Sequence, residues 1–102
     1  MIFIEDHGFQ QRRKGLLDDE ALFALLEWLA VHPGAGKIIR ASGGLRKVRW
    51  AAQGRGKRGG MRIIYFWWMA DEKILLLDIY AKSQKEDLAA DEIKQLKRKI
   101  IP

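Results

Sequence analysis

Seven Arg and Lys lie between residues 43 and 66, in GGLRKVRWAAQGRGKRGGMRIIYF, and no carboxylate lies among them. Residues 45–52, LRKVRWAA, read as a strand, which places Leu45, Lys47 and Arg49 on one face and Arg46, Val48 and Trp50 on the other. MRIIYFWW, residues 61–68, reads as a second strand that opens with Arg62. Between them, QGRGKRGG carries Arg55, Lys57 and Arg58 among glycines 54, 56, 59 and 60, which let a backbone approach closely. Arg grips a phosphate through two parallel hydrogen bonds, and Lys acts as a compact charge. Together these side chains predict a concave cationic surface for a polyanion, whose neutralised phosphates release counterions. The loop is not a nucleotide-binding P-loop, because GRGKRGG lacks the spacing of G-x-x-x-x-G-K-[ST].

Such a surface can break a phosphodiester without a metal. Cleaving RNA requires a deprotonated ribose 2′-oxygen, stabilised charge on the phosphate and a protonated 5′-oxygen. Cations meet the second need directly. A Lys crowded by other cations has its charged form disfavoured and moves toward the range of a base, which addresses the first. His7 and His32 are the chain's two His, so residues 33–102 offer no imidazole pair. His7 reads as a surface residue and His32, beside Pro33, as a helix-end residue. Asp78, inside an apolar run, reads as the partner of an Arg or Lys. There is no Cys, which excludes disulfides and a thiolate metal centre, and two His are too few for a His-rich one.

The length, 102 residues, suits one domain with one core, spanning residues 1–102. The net charge is +6, and its distribution is uneven. Residues 28–70 hold nine Lys/Arg and no acid, whereas residues 1–27 hold three Lys/Arg against six acids and residues 71–102 hold seven of each. Solubility alone asks for no such clustering. No apolar run approaches the ~20 residues that cross a bilayer, and MIFIEDHGF carries acids where a signal peptide carries Lys or Arg. A soluble, cytoplasmic protein is expected.

The elements that must hold these cations follow from pattern. IFI, residues 2–4, reads as a short strand, and FQQRRKG as a polar turn or short helix ending at Gly15. Asp18 or Asp19 caps a helix whose apolar stripe is Leu22, Leu25, Leu26 and Leu29, widened by Phe23 and Trp28 and stopped by HPGAG. KILLLDIYA is a continuous apolar run, which predicts a strand buried on both faces, the third of an antiparallel meander. Ser83 and Glu86 have the spacing of a capping box for a last helix, with Leu88, Ile93, Leu96 and Ile100 on one side. The order β, α, β, β, β, α predicts an α+β domain: a small, twisted, mainly antiparallel sheet with N-terminal helices packed on one face and a C-terminal helix.

With these residues laid out, the chain resembles the toxins of the RelE/ParE superfamily of type II toxin–antitoxin systems, and among them the HigB-like branch. The resemblance runs from about Asp18 to Leu96. It rests on GLRK with its basic strand, a GK-x-GG-type loop ending in R-I-I-Y, and I-Y-x-K followed by K-x-D-L in LLLDIYAKSQKEDL. It implies a RelE-like fold and a metal-independent endoribonuclease that cuts mRNA on the ribosome, with no metal or organic cofactor expected. It also implies a cognate antitoxin, in the HigB branch commonly a helix-turn-helix protein, so that DNA is met only through that partner and no membrane is involved.

Carried over position by position, the resemblance assigns catalytic roles to Lys47, Arg49, Arg62 and Lys82. Lys47 would be the base or principal proton handler, Arg49 and Arg62 the stabilisers of phosphate charge, and Lys82 an acid or second phosphate contact. Arg46, Arg55, Lys57 and Arg58 would hold messenger or ribosomal RNA. The sequence departs from the RelE pattern where an arginine and, further on, a tyrosine are expected; it has Ser83 and Leu88-Ala89 there, which leaves the proton donor unassigned. Two alternatives stay open: a ParE-like inhibitor of DNA gyrase, and an inactive relative that binds RNA or antitoxin.

Overall fold

A computed structural model describes residues 1–51 and 60–100. Their elements are β1 (Ile2–Glu5), α1 (His7–Arg12), α2 (Asp19–Val31), β2 (Lys37–Ile38), β3 (Arg46–Ala51), β4 (Gly60–Trp68), β5 (Lys73–Ala81) and α3 (Ala90–Lys97). The strands form one sheet in the order β1-β5-β4-β3-β2. Strands β2 to β5 pair antiparallel, and β1 adds to the edge of β5 in parallel. The expected α+β architecture and antiparallel meander are present, and the N-terminal IFI is an edge strand.

Period-two alternation divides the sheet's side chains between two cores. Val48, Met61, Ile63, Tyr65, Ile74, Leu76 and Ile79 pack with Phe9 of α1 and with Leu22, Leu25 and Leu29 of α2. On the opposite face, Leu45, Ile64, Leu75, Leu77 and Tyr80 pack with Leu96 of α3. The apolar run of β5 thus feeds both faces, as its composition predicted. One residue breaks the alternation. Ile64 pairs with Asp78 but Tyr65 with Leu76, so Leu77 has no partner and the strand bulges. The bulge presents the Asp78 carboxylate to the Ile79 amide at 2.8 Å and to Arg12 Nε of α1 at 2.5 Å. Asp78 therefore has the cationic partner expected of it, and that partner fixes α1 against the sheet.

Local signals explain the helices. The Asp6 carboxylate accepts from the Gly8 amide and starts α1; Asp18 accepts from the Ala21 amide at 2.8 Å and starts α2. The segment FQQRRKG is a helix as far as Arg12, with Gly15 in the left-handed region at φ 84°. Phe23 is 70% exposed rather than part of the buried stripe, because it lies about 100° around α2 from Leu22 and outside the Leu22-Leu25-Leu29 face. The last helix begins later than the Ser83–Glu86 spacing suggests. Its first residue is Ala90, and Glu92 accepts from the Ala89 amide at 2.8 Å. Glu86 is engaged elsewhere.

The turn into β3 explains part of GLRK. Gly43 and Gly44 have φ of 78° and 110°, and a Cβ on Gly44 would stand 3.0 Å from Phe66 Cε1. Ser42 Oγ accepts from the Leu45 amide at 2.9 Å and donates to the Ile39 carbonyl at 2.6 Å. Leu45 is then driven into the α3-side core, which sets the register of every following residue on β3.

Candidate active site

Because Leu45 points toward α3, Lys47 and Arg49 face the same side two and four residues on. The register between β3 and β4 places Arg49 directly opposite Arg62, and Arg62 opposite Tyr80 on β5. Lys47 lies opposite Lys37 of the short strand β2. Directly opposed like charges destabilise a sheet by some tenths of a kcal/mol each. Two such pairs, Lys37–Lys47 and Arg49–Arg62, concentrate four cations on one face at a cost to folding.

Carboxylates from the segment between β5 and α3 answer this charge. Glu86 Oε2 accepts from Arg62 Nη2 at 2.8 Å and from Arg62 Nε at 3.3 Å. Asp87 pairs with Lys47. The Tyr80 hydroxyl donates to the Glu86 carbonyl at 3.3 Å. The Arg62 side chain is only 3% exposed beneath this cover, and that of Lys47 is 25% exposed, whereas Glu86 and Asp87 are 53% and 73% exposed. The hydrogen bond from Arg62, aided by its charge and that of Lys82, holds the Glu86 carboxyl below its ordinary range. Lys47 does the same for Asp87. Both stay charged well into mild acid.

Of the residues that the sequence nominates, the structure brings Lys47, Arg49 and Arg62 onto one sheet face. Lys82 is exposed just beyond β5, close enough to act on the charge of Glu86. Arg46 is on the opposite face. There its Nη1 donates to the Gly34 and Gly36 carbonyls at 3.2 and 2.9 Å, and its guanidinium stands 5.8 Å from the centre of the Trp67 ring. That is a bracing role for the turn after α2, away from the other cations. Arg55, Lys57 and Arg58 lie outside the described residues. The crowding expected around Lys47 is offset by Asp87, a neighbour that strand periodicity does not reveal.

Sequence reasoning also missed Lys37, Glu86 and Asp87. Lys37 sits on a two-residue strand, too short to give a pattern. Glu86 has the spacing of a helix cap, and only the position of β5 beside β4 brings it to Arg62. A cavity of about 540 Å³ adjoins the site at Tyr80 and is lined by Arg12, Lys14, Asp78, Gln84 and Lys85 among others, but none of the four nominated catalytic cations lines it. Among the described residues no cluster of His, Asp or Glu has the arrangement of a metal site.

The tyrosines have a measurable signature. Burial raises the Tyr65 phenol, and burial followed by the charge of Asp87 pushes Tyr80 up to about 12. These are the only two Tyr in the chain. Spectrophotometric titration at 295 nm is therefore expected to show little phenolate near pH 10, where free tyrosine ionises. In the unfolded chain both ionise near pH 10, so their contribution to stability is fully present below that pH. It is lost as pH rises toward about 12, and denaturant midpoints should fall in that window.

This arrangement of sheet and helices matches known proteins. The family model described as the RelE toxin of the RelE / RelB toxin-antitoxin system matches residues 4–100. The chain belongs to the RelE toxin family. The structure of E. coli toxin RelE, solved in the free state as a double arginine-to-alanine mutant, is similar at a TM-score of 0.59. The two are 13% identical, and the match covers 99% of this chain and 97% of that one, which supports the fold. The chain is thus the toxin of a toxin–antitoxin pair, and the family implies an antitoxin partner. Among the described residues no helix is long and apolar enough to cross a membrane.

Proposed function

We propose that this RelE-family toxin is an endoribonuclease that cuts mRNA on the translating ribosome, using the face formed by β3, β4 and the exit of β5. The observation that carries this reading is that Arg62 and Lys47, neighbours on one face, already hold two anions side by side, Glu86 and Asp87. A site that seats carboxylates on an Arg fork and a Lys is chemically suited to phosphates. In the reaction, the ribose 2′-oxygen attacks phosphorus, the P–O5′ bond breaks, and a 2′,3′-cyclic phosphate and a 5′-hydroxyl result. Lys47 takes the 2′ proton. Arg49 and Arg62 stabilise the charge that builds on the phosphate oxygens, and this fixed electrostatic stabilisation is the main source of acceleration in such a site. Lys82 contacts the departing side, as a proton donor or second phosphate ligand. The messenger enters with ribosomal RNA alongside, and the antitoxin, a helix-turn-helix protein in the HigB-like manner, blocks access.

Induction of the toxin in bacteria, followed by mapping of messenger 5′ ends and measurement of plasmid supercoiling, tests this. New ends in phase with codons support the nuclease. Relaxed plasmids with intact messages would assign the protein to gyrase inhibition instead.

A further inference from the structure

We infer that residues 86–88 form a gate whose carboxylates occupy the phosphate seats of the active face, so that RNA enters by displacing the chain's own anions. This inference rests on the nuclease reading and adds the regulation of that same site. Its starting point is an incompatibility: a guanidinium with 3% of its side chain exposed cannot touch an RNA phosphate. If Arg62 acts on RNA, whatever covers it must leave. Among the described residues the ionic partner of Arg62 is Glu86, itself half-exposed, with Asp87 next to it on Lys47.

The gate is bounded by fixed points. On its N-terminal side the turn after β5 is closed by the Gln84 amide donating to the Ala81 carbonyl at 2.9 Å, and by the Ala81 amide donating to Gln84 Oε1 at 3.1 Å. On its C-terminal side Glu92 holds the Ala89 amide, and Lys85 in turn pairs with Glu92. Residues 86–88 between these points belong to no helix or strand. They are held down by the two ion pairs, the Tyr80 hydroxyl and the half-buried Leu88.

Energetics favour exchange. Glu86 and Asp87 are solvent-exposed, so their carboxylates rehydrate on release, and the Arg62 guanidinium that they leave takes a phosphate in their place rather than staying unpaired. In the closed state one Glu86 oxygen accepts both bonds from Arg62. A phosphate offers separate oxygens to the fork and is the better ligand. Opening also leaves Lys37, Lys47, Arg49 and Arg62 without their two neutralising acids, a field that an incoming polyanion relieves. The closed gate therefore stabilises the apo toxin against its own cation repulsion and keeps weak anions out.

The test is a charge-removing, shape-conserving double variant, Glu86→Gln with Asp87→Asn, compared with the wild type. The probe is a single-stranded 2′-O-methyl RNA oligomer, which binds but cannot be cleaved, followed by fluorescence anisotropy at low salt. The variant should bind roughly tenfold tighter, the scale set by removing two weak competing charges. Equal or weaker binding by a folded variant overturns the gate. On the wild type, hydrogen exchange at residues 86–88 should speed up when the oligomer binds; slowed or unchanged exchange also overturns it. Messenger cleavage measured in parallel separates the two ideas. Tighter oligomer binding without cleavage by either protein keeps the gate and removes the nuclease, and cleavage by the wild type with no gain in binding does the reverse.

Discussion

Arg62→Ala is expected to lower the rate of cleavage of ribosome-bound messenger by ~10²–10³, the loss seen when one preorganised donor to a developing charge is deleted. The large effect follows from position. Arg62 stands between Arg49 on β3 and Tyr80 on β5, at the middle of the cationic face, and its guanidinium is held by a buried strand rather than by a loop. Stability should change far less, by about 1 kcal/mol, for three reasons. The partner left behind, Glu86, is half-exposed and returns to water. The lost aliphatic stem is a modest packing loss. Removal also relieves the like-charge opposition with Arg49. Arg62→Lys keeps a charge but not the fork and should recover only part of the rate. Single-turnover cleavage, with thermal melts run beside it, checks the pair. An Arg62→Ala protein that cleaves within a few-fold of wild type would remove Arg62 from the chemistry.

The reason Arg62 can be singled out from sequence is that strand signals around it are strong. MRIIYFWW has no competing helical period, so the placement of Arg62 on a buried strand needs no tertiary information. GLRK is legible for a related reason: two glycines and a buried Leu fix which of the next residues face α3, and that separates Lys47 from Arg46. The limit lies in what crosses the sheet. Arg46 is one residue from Lys47 and equally basic, and its bond to the Gly36 carbonyl is visible only once the turn after α2 is folded under it. Glu86 and Asp87 escape a reading of the sequence for a sharper reason. Ser83-x-x-Glu86 satisfies a helix-start pattern, yet Glu86 gains more from a buried guanidinium than from a backbone amide, and the helix start moves to Ala89 and Glu92. The bulge at Leu77 is equally hidden, because a strand apolar on both faces carries no alternation for an extra residue to interrupt.

Tyr65→Ala is expected to cost ~3–5 kcal/mol, a large share of the ~5–15 kcal/mol that holds a domain of this size together. The midpoint of thermal unfolding should fall by roughly 15–30 °C. Tyr65 is fully buried in the core beneath α2. Its hydroxyl donates to the Pro33 carbonyl at 2.7 Å and accepts from the Gly36 amide at 2.9 Å, so one side chain fastens both ends of the turn that joins α2 to β2. The fit allows no Cβ at position 36, where it would stand 2.9 Å from Tyr65 Cε1. Tyr65→Phe keeps the ring and loses both hydrogen bonds, stranding a buried amide and carbonyl, and should cost ~1–3 kcal/mol. The difference between the two variants, read from denaturant midpoints, separates packing from polar fastening; a Phe variant as stable as wild type would mean the hydroxyl does not hold the turn. The consequence reaches the cationic face. The turn delivers Lys37 opposite Lys47 on one side of the sheet and receives Arg46 on the other. In Tyr65→Phe, cleavage of messenger should fall in proportion to the folded fraction while Arg62 remains in place, because β4 holds Arg62 independently of the turn.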